Sequence, residues 1–590
     1  TYAVPPWLIK EDPDILVERK TGKAQYGYRQ LINLLNPTYR SHAETVIRKL
    51  VAHTSGKENV IGYQIDNETK HYGNMGSEIQ QAFQKYLEKK FVTTEKFNET
   101  FGLAYWSNSI HHWDDLPDIK GCINGGFMAE FEKFQRTMAA EFLNWQAQLV
   151  RQYKREDQFI TNNLGFSWKK FGADIAHDGY SYGVQPNINF YEASQCLTLA
   201  ASDIYHPTQD NLTGAETAFG GDVTRSLKDS NYLVMECQAQ AFKYWTPYPG
   251  QLRLHAYGHL ASGAKGILYW NWHSIHCGYE TYWKGLLSHD LGPNPTYRDA
   301  CTIGEEWNKM SPKLCGLKKS NKIAIVVDNH SLTAFEWFPI DKELSYNDVL
   351  RWMYDSLYEI NVECDVVDIN ALEPAKYQMI ITPALYCISE DMLKRLDDFV
   401  KGGGVLISSF KSFIADEHVR VYADTQPHLL QKCFGISCNQ YTDPGKTRIK
   451  GRQVQYIAEL LIPDEAESMA DYEHKYWGIY SGITRHSYGK GCAYYIGCYT
   501  EKDVLKDLYK AALSDASVPA PELTWPVTVR SGVNQEGALL HYILHYSEDN
   551  RTISCPYEDV TDILTGKTYK KGEPISLKDW DVLILEENKL

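Results

Sequence analysis

The chain of 590 residues lacks the features that would place it in a membrane or on nucleic acid. No run of about 18 apolar residues occurs, which argues against a membrane-spanning helix. The formal net charge is −15 and no basic block is present, which argues against nucleic acid and anionic membranes as partners. With 43% hydrophobic and 23% charged residues, the composition is that of a globular protein with a large core.

Closely spaced cysteine pairs are also missing. The thirteen cysteines are scattered, and the closest pair, Cys433 and Cys438, has no neighbouring histidine or cysteine cluster to complete a metal site. Scattered cysteines are typical of free thiols in a reducing compartment, so we expect a cytoplasmic protein. No secretory signal begins the chain, but its first residues resemble the interior of a domain, which leaves a leader peptide open.

Up to about residue 312, apolar strands alternate with helical stretches such as 78–92 and 127–154, which predicts parallel βαβ units. The predicted strands are 59–68, 158–167, 199–207, 232–240 and 265–274. Each begins apolar and ends in polar or aromatic residues, namely Asn67 and Glu68, Asn162 and Asn163, Asp203 and Tyr205, Glu236, and Asn271 and Trp272. The carboxyl ends of the strands form the active-site face of a (β/α)8 TIM barrel. The pattern therefore predicts a barrel over residues 1–312 with a functional site at that face.

Two smaller units follow the predicted barrel. Residues 320–520 alternate between strands and helices again, which predicts an open, doubly wound α/β domain of Rossmann-like type. The glycines at 402–404 follow a helix and precede a strand, so they indicate a helix end and not a phosphate-binding loop. Short alternating strands over residues 524–590 predict a small antiparallel β-sandwich.

Two glutamates each close a hydrophobic strand of the predicted barrel. Glu68 and Glu236 lie three strand positions apart, on the fourth and seventh strands if the first of them is the fourth. Retaining hydrolysis of a glycosidic bond needs such a pair about 5 Å apart, one acid to protonate the leaving oxygen and one nucleophile. Either residue alone fits a salt bridge at a strand end, but the two together favour catalysis. Asn67, directly before Glu68, can bind a sugar 2-hydroxyl.

Several segments resemble glycoside hydrolase family 42, the β-galactosidases. They are "VIGYQIDNE" and "YLVMECQAQ", the segment 258–294 that contains "GYETYW", and "GYRQLINLLNPTYR" at 27–40. The resemblance covers nearly the whole chain. It implies a retaining enzyme that removes terminal β-D-galactosyl residues, a middle domain of glutamine-amidotransferase type that forms a homotrimer, and no cofactor.

Position by position, the resemblance also implies roles for single residues. Glu68 would be the general acid/base, Glu236 the nucleophile, and Asn67 the ligand of the 2-hydroxyl. The substrate-binding set would be Arg29, Glu280, and either Trp245 or Tyr244 as a stacking aromatic. Trp168, at the end of a strand, is a further candidate for a sugar-stacking wall.

The chain also departs from the family. Gln30 follows Arg29 where the family often has a second arginine, Trp283 replaces a histidine near the sugar, and Cys237 replaces a glutamine after the nucleophile. Some members hold a structural zinc with cysteines near the acid/base loop, but residues 67–78 contain none, so no metal is expected.

Three other functions stay open at this point. The bulk of Trp283 would suit an α-L-arabinopyranoside, which lacks the hydroxymethyl group of galactose. A catalytically impaired carbohydrate-binding relative is a second alternative. Cys387 as an amidotransferase nucleophile is a third, but no Gly-x-Cys-x-Gly elbow surrounds it.

The strand count further predicts a chain that begins inside its barrel. Five complete strands are present, and "TYAVPPWLI" at residues 1–9 reads as the tail of another strand and its loop. Eight strands are needed to close the barrel. We therefore expect the first two strands and the start of the third to be absent, which leaves an open sheet edge.

Overall fold

The structure is a computed structural model that describes residues 3–170, 180–240 and 246–588. In its first region the helices are α1 Pro6–Glu11, α2 Pro37–Thr54, α3 Ser77–Phe91, α4 Thr94–Phe101, α5 Gly125–Arg151, α6 Phe190–Ser194, α7 Ala215–Ser226, α8 Gln251–Ala261 and α9 Pro295–Leu314. The strands are β1 Glu18–Arg19, β2 Gly22–Lys23, β3 Gly62–Asn67, β4 Phe159–Gly165, β5 Ser167–Lys170, β6 Tyr180–Gly183, β7 Ala201–Asp203, β8 Tyr232–Gln238 and β9 Ala264–Trp270.

Five of these strands form one parallel sheet in the order β3-β4-β7-β8-β9. They are the five predicted strands. In the described residues no further strand pairs with β3 or β9. The register sets Asn67 opposite Asn163 and Asp203 opposite Glu236. The polar strand ends are therefore brought to one edge of the sheet.

The first residues of the chain differ from the prediction of a strand tail. Residues Pro6–Glu11 form α1, and Leu8 packs into the core with 3% exposure. The reason is Pro6 at the first helical position, where its fixed φ suits a helix and its missing N–H is not needed. A strand that ends at Leu8 is therefore wrong.

Helices cover the sheet by their apolar faces. In α3 a stripe of residues at four-residue spacing is buried, namely Ile79, Phe83, Leu87 and Phe91. The Phe83 ring lies 4.9 Å from that of Phe131 in α5, edge to face. Such a stripe on one face is what an amphipathic helix buries against its neighbours. It packs α3 against α5, which in turn contacts β3.

The middle region contains the helices α10 Asn329–Trp337, α11 Tyr346–Tyr358, α12 Glu390–Lys401, α13 Gln431–Phe434 and α14 Lys502–Asp515. Its strands are β10 Ile323–Val327, β11 Asp365–Asp368, β12 Met379–Thr382, β13 Val405–Ser409, β14 Ile436–Thr442, β15 Arg448–Ile449, β16 Arg452–Gln453, β17 Gln455–Pro463, β18 Glu467–Asp471, β19 Ser481–Tyr488, β20 Gly491–Ile496 and β21 Cys498–Tyr499.

The middle sheet is half parallel and half antiparallel. Its order is β11-β10-β12-β13-β20-β19-β17-β14, and the pairs from β11 to β20 are parallel, as expected for a doubly wound domain. The pairs from β20 to β14 are antiparallel. Antiparallel neighbours need only short turns, so they leave no strand–helix alternation in the sequence. That half of the sheet was not predicted.

The last region is antiparallel, as the sequence predicts. Its strands are β22 Val527–Val533, β23 Leu539–His545, β24 Arg551–Ser554, β25 Asp559–Asp562, β26 Thr568–Lys570, β27 Pro574–Leu577 and β28 Val582–Glu587. Five of them pair in the order β22-β23-β28-β25-β26, and β24 pairs with β27. Ile553 and Ile575 of this second ribbon share an apolar core with Ile543 and Leu585 of the sheet.

One buried carboxylate joins all three regions. Asp222 of α7 accepts hydrogen bonds from Arg225 at 2.8 Å, from Arg530 of β22 at 2.5 Å and from Tyr354 of α11 at 2.7 Å. Burial by itself raises the pKa of Asp222, but Arg530 and Arg225 outweigh it and hold the pKa below its usual value. The contacts between the regions are thus charged as well as apolar.

In the described residues no helix is both long and apolar enough to cross a membrane. All thirteen cysteines are free.

Candidate active site

Asn163 of β4 is the centre of the polar cluster at the sheet edge. Its Nδ2 faces Asp203 Oδ2 at 2.7 Å, Asn67 Oδ1 at 3.1 Å and Glu236 Oε1 at 3.4 Å. Its Oδ1 accepts the backbone N–H of Glu68 at 3.2 Å. One amide therefore contacts the ends of β3, β7 and β8, which explains why a buried strand finishes in an asparagine.

Glu236, in β8, is held by a tyrosine. The Tyr205 hydroxyl donates to Glu236 Oε2 at 2.8 Å. Burial raises the pKa of Glu236 to about 7, with Tyr205 opposing the rise and the charges of Glu68 and Glu280 adding to it. Burial thus disfavours the charged form of Glu236, and the hydrogen bond from Tyr205 favours it.

Glu68 turns out of β3 with a positive φ of 45°, a backbone conformation that is uncommon for a residue with a side chain. Its Oε2 pairs with Arg29 at 2.9 Å, and its side chain is only 15% exposed. Its backbone oxygen accepts a hydrogen bond from Gln30 at 3.2 Å. The side chain passes so close to Gly165 of β4 that a Cβ there would lie 2.8 Å from Oε1.

Asp203 is a third carboxyl group at the centre of the site, with 2% exposure. Burial raises its pKa well above the usual value, and the charges of Glu236 and Glu68 raise it further. Its Oδ1 has no hydrogen-bond partner in the described residues. Burial and the two neighbouring glutamates therefore both favour the neutral form of Asp203.

Two tryptophans of the predicted substrate-binding set, Trp168 and Trp283, lie close to the ring of Tyr205. The ring of Trp168 is 6.1 Å from the Tyr205 ring, and that of Trp283 is 5.8 Å from it. The Trp283 indole N–H donates to the Trp270 carbonyl at 3.2 Å. Trp168 is 42% exposed, so one side of this aromatic wall is open to a ligand.

The remaining predicted residues are placed as follows. Asn67 Nδ2 is buried and has no hydrogen-bond partner in the part of the chain that the structure describes. Glu280 is partly exposed, and its charge acts on Glu236. Tyr244 and Trp245 lie outside the described residues.

The sequence indicates no role for three residues of this site beyond their position as polar strand ends: Asn163, Asp203 and Tyr205. The signal was their position at the ends of predicted strands. What the sequence does not contain is the register that sets them beside the two glutamates.

A second cluster lies next to the site and was not predicted. His206, Cys237, His255 and His259 bring their donor atoms within 4.8 Å of one another. The available signal was the four-residue spacing of His255 and His259, which places both on one face of a helix. By contrast, Cys387 of the middle region is 4% exposed, and burial raises the pKa of its thiol well above the usual value, so it is not an activated nucleophile.

Two family models match this chain, and both describe β-galactosidases. The family model described as "Beta-galactosidase" (glycoside hydrolase family 42) matches residues 1–310, and the model described as "Beta-galactosidase trimerisation domain" matches residues 321–519. These two matches span the first two regions of the structure.

Individual relatives are similar over nearly their whole length. A β-galactosidase of Lactobacillus acidophilus is 25% identical over 99% of this chain and 88% of its own length. A β-galactosidase of Haloferax lucentense is 26% identical over 96% of this chain and 86% of its own length. The crystal structure of β-galactosidase from Bacillus circulans sp. alkalophilus superposes with a TM-score of 0.89 at 21% identity, covering 100% of this chain and 88% of that one.

Proposed function

Because the chain belongs to glycoside hydrolase family 42, the β-galactosidases, we infer that it is a retaining hydrolase of terminal, non-reducing β-D-galactosyl residues. The observation that carries the mechanism is the pair Glu68 and Glu236. Both glutamates contact Asn163, and the charge of Glu68 raises the pKa of Glu236. A retaining glycosidase needs two carboxyl groups close together for double displacement, and here two interacting carboxyl groups lie at one edge of the sheet.

In the first step we assign the attack on the anomeric carbon to Glu236 and the proton transfer to the leaving oxygen to Glu68. The Tyr205 hydroxyl fixes one carboxyl oxygen of Glu236 and leaves the other for the attack. The product of this step is a galactosyl ester of Glu236. In the second step Glu68, now a carboxylate, takes a proton from water while the water oxygen attacks the anomeric carbon. The bond between that carbon and the Glu236 oxygen breaks, galactose leaves, and Glu236 is again a carboxylate and Glu68 an acid.

The ligand-free site must rearrange before Glu68 can act as an acid. Its Oε2 is paired with the Arg29 guanidinium at 2.9 Å, and an oxygen held in this pair is not available to pass a proton to the leaving group. The Arg29 side chain is 48% exposed, so a sugar hydroxyl can reach it from solvent. We propose that the bound sugar draws Arg29 away from Glu68.

The sugar would lie against the aromatic wall of Trp168, Tyr205 and Trp283. The free Nδ2 of Asn67 is a donor for the 2-hydroxyl, and Glu280 is an acceptor for hydroxyls farther along the ring. A stacking role for Trp245 or Tyr244 stays a prediction from the family. Trp283, held by its hydrogen bond to the Trp270 carbonyl, would limit the size of the sugar, because the hydroxymethyl group of galactose would have to fit beside it.

The test of the mechanism compares Glu236→Ala and Glu68→Ala. Loss of the nucleophile should reduce turnover of every galactoside by at least about 10⁴-fold. Loss of the acid should reduce turnover most for poor leaving groups, and azide should partly restore it by taking the place of water as nucleophile. Rates on aryl β-galactosides of graded leaving-group pKa measure both effects.

Glu305→Gln, an exposed glutamate of α9, is the control and should leave all rates unchanged. Equal losses across leaving groups in Glu68→Ala would contradict its acid role. Parallel assays on nitrophenyl β-D-galactoside and α-L-arabinopyranoside decide the sugar, and we expect the galactoside to be cleaved faster. No turnover of any glycoside would instead favour the impaired binding relative.

We propose a homotrimer held by the middle region, since that region matches the family's trimerisation domain. Light scattering during size exclusion should give about three times the chain mass of 67.6 kDa. A single-chain mass at micromolar concentration would contradict the trimer. Thirteen free thiols favour a reducing, cytoplasmic location.

A further inference from the structure

Behind β8 lie four buried side chains that the proposed hydrolysis does not use: His206, Cys237, His255 and His259, here called the His–Cys cluster. None of the four is more than 1% exposed. We propose that the His–Cys cluster binds a divalent transition-metal ion, with zinc as the best fit, in a closed four-coordinate site.

The spacing of the donor atoms fits such an ion. Nε2 of His206 and Nε2 of His259 each lie 3.7 Å from Cys237 Sγ. Around tetrahedral zinc, bonds of about 2.3 Å to sulfur and about 2.0–2.1 Å to nitrogen place the two donor atoms about 3.6 Å apart. Two pairs of donor atoms therefore already have the separation that a tetrahedral zinc ion requires, and all four donor atoms lie within 4.8 Å of one another.

The hydrogen bonds of the rings are a second, independent observation. Nδ1 of His206 lies 2.9 Å from the Pro207 carbonyl. A carbonyl only accepts, so this nitrogen carries the proton and Nε2 offers its lone pair, as in metal-bound histidines. Both ring nitrogens of His255 and Nδ1 of His259 are buried without a hydrogen-bond partner in the described residues. Buried polar atoms are rarely left unpaired, and a metal ion supplies a partner for His255.

The donor set selects the class of metal. Imidazole and thiolate groups suit zinc and similar transition metals, whereas magnesium and calcium require oxygen ligands. His255 and His259 lie one turn apart in α8, so a single helix face presents both. Four protein ligands leave no open position for water or substrate, which is the arrangement of a structural site.

The position of the His–Cys cluster suggests what the ion would do. Cys237 directly follows Glu236, and His206 directly follows Tyr205. Successive residues of a strand point to opposite faces, so Cys237 faces α8 while Glu236 faces the active site. The ion would thus tie the two segments that carry Glu236 and Tyr205 to the same helix. The four ligands are positioning residues for the nucleophile.

The test begins with the purified wild-type chain of residues 1–590, loaded with zinc, desalted and measured by elemental analysis. We expect about one zinc per chain, and at least a tenfold lower content in Cys237→Ser and in His255→Gln. Cobalt in place of zinc should give a thiolate-to-cobalt charge-transfer band in the wild type and not in Cys237→Ser. Removal of the metal should lower the melting temperature and kcat while changing KM little.

Cys196→Ser is the matched control, because Cys196 is also a buried thiol of the first region but lies outside the His–Cys cluster. It should keep its zinc and its cobalt band. The proposal is overturned if the wild type retains no more metal than the double variant Cys237→Ser/His255→Gln. It is also overturned if the cobalt spectrum of the wild type shows no thiolate band. Neither readout depends on hydrolysis, so a failure here leaves the proposed activity intact.

Discussion

At the scale of single residues, Tyr205 contacts both the proposed nucleophile and the aromatic side chains of the site. Its hydroxyl donates a hydrogen bond to Glu236 at 2.8 Å, and its ring lies within 6.1 Å of the rings of Trp168 and Trp283. A hydrogen bond to a charged group contributes about 1.5–3 kcal/mol. Tyr205→Phe keeps the ring and removes the hydroxyl, so kcat/KM for an aryl β-galactoside should fall about tenfold to hundredfold.

The matched control is Tyr105→Phe, which removes a hydroxyl from a side chain that is 72% exposed. Its kcat/KM should equal that of the wild type. A loss of less than about threefold in Tyr205→Phe would mean that the hydroxyl does not orient the nucleophile.

At the scale of elements, β4 leaves room for the side chain that ends β3. A Cβ on Gly165 would lie 2.8 Å from Glu68 Oε1, at the flexible end of that side chain. Gly165→Ala should therefore displace the carboxyl group at little cost to folding. We expect kcat to fall at least about tenfold, while the melting temperature shifts by no more than a few degrees.

Gly304→Ala serves as the control, since an added Cβ in α9 meets nothing within 4 Å. It should leave kcat unchanged and stabilise slightly, because alanine favours a helix interior over glycine. If Gly165→Ala keeps full activity, Glu68 does not need the position that it has beside β4.

At the scale of the whole molecule, Asp222 connects the three regions through Arg225, Arg530 and Tyr354. Asp222→Asn would leave two buried arginines with less compensating charge. We expect the free energy of unfolding at pH 7 to fall by about 3–5 kcal/mol, measured by denaturant titration where unfolding is reversible. Asp229→Asn, a surface aspartate paired with Lys376 and 85% exposed, should change it by less than about 1 kcal/mol.

The pH dependence of this effect has a definite sign. The folded chain holds the pKa of Asp222 below its ordinary value of 3.8, so the folded form binds the proton more weakly than the unfolded form. The stability from Asp222 is present above that ordinary value and is lost as pH falls through the folded pKa. The gap between wild type and Asp222→Asn should therefore narrow in acid. A gap that stays constant would show that ionisation of Asp222 does not carry the effect.

The sequence by itself determined the five strands of the first region, their polar ends and the two glutamates. Each of these is local information, because an apolar run predicts a buried strand and a carboxylate at its end stands out. The helix at α1 was missed for the opposite reason. Two prolines and a short apolar run suit a strand end as well as a helix start.

Only the tertiary structure decided which polar ends meet. Asn163 contacts Asn67, Asp203 and Glu236 because the parallel register brings four strand ends to one edge. The His–Cys cluster joins positions 206, 237, 255 and 259 for the same reason. Contacts between distant segments depend on the register, which is the offset between a strand and its neighbour. The sequence pattern of one strand carries no information about that offset.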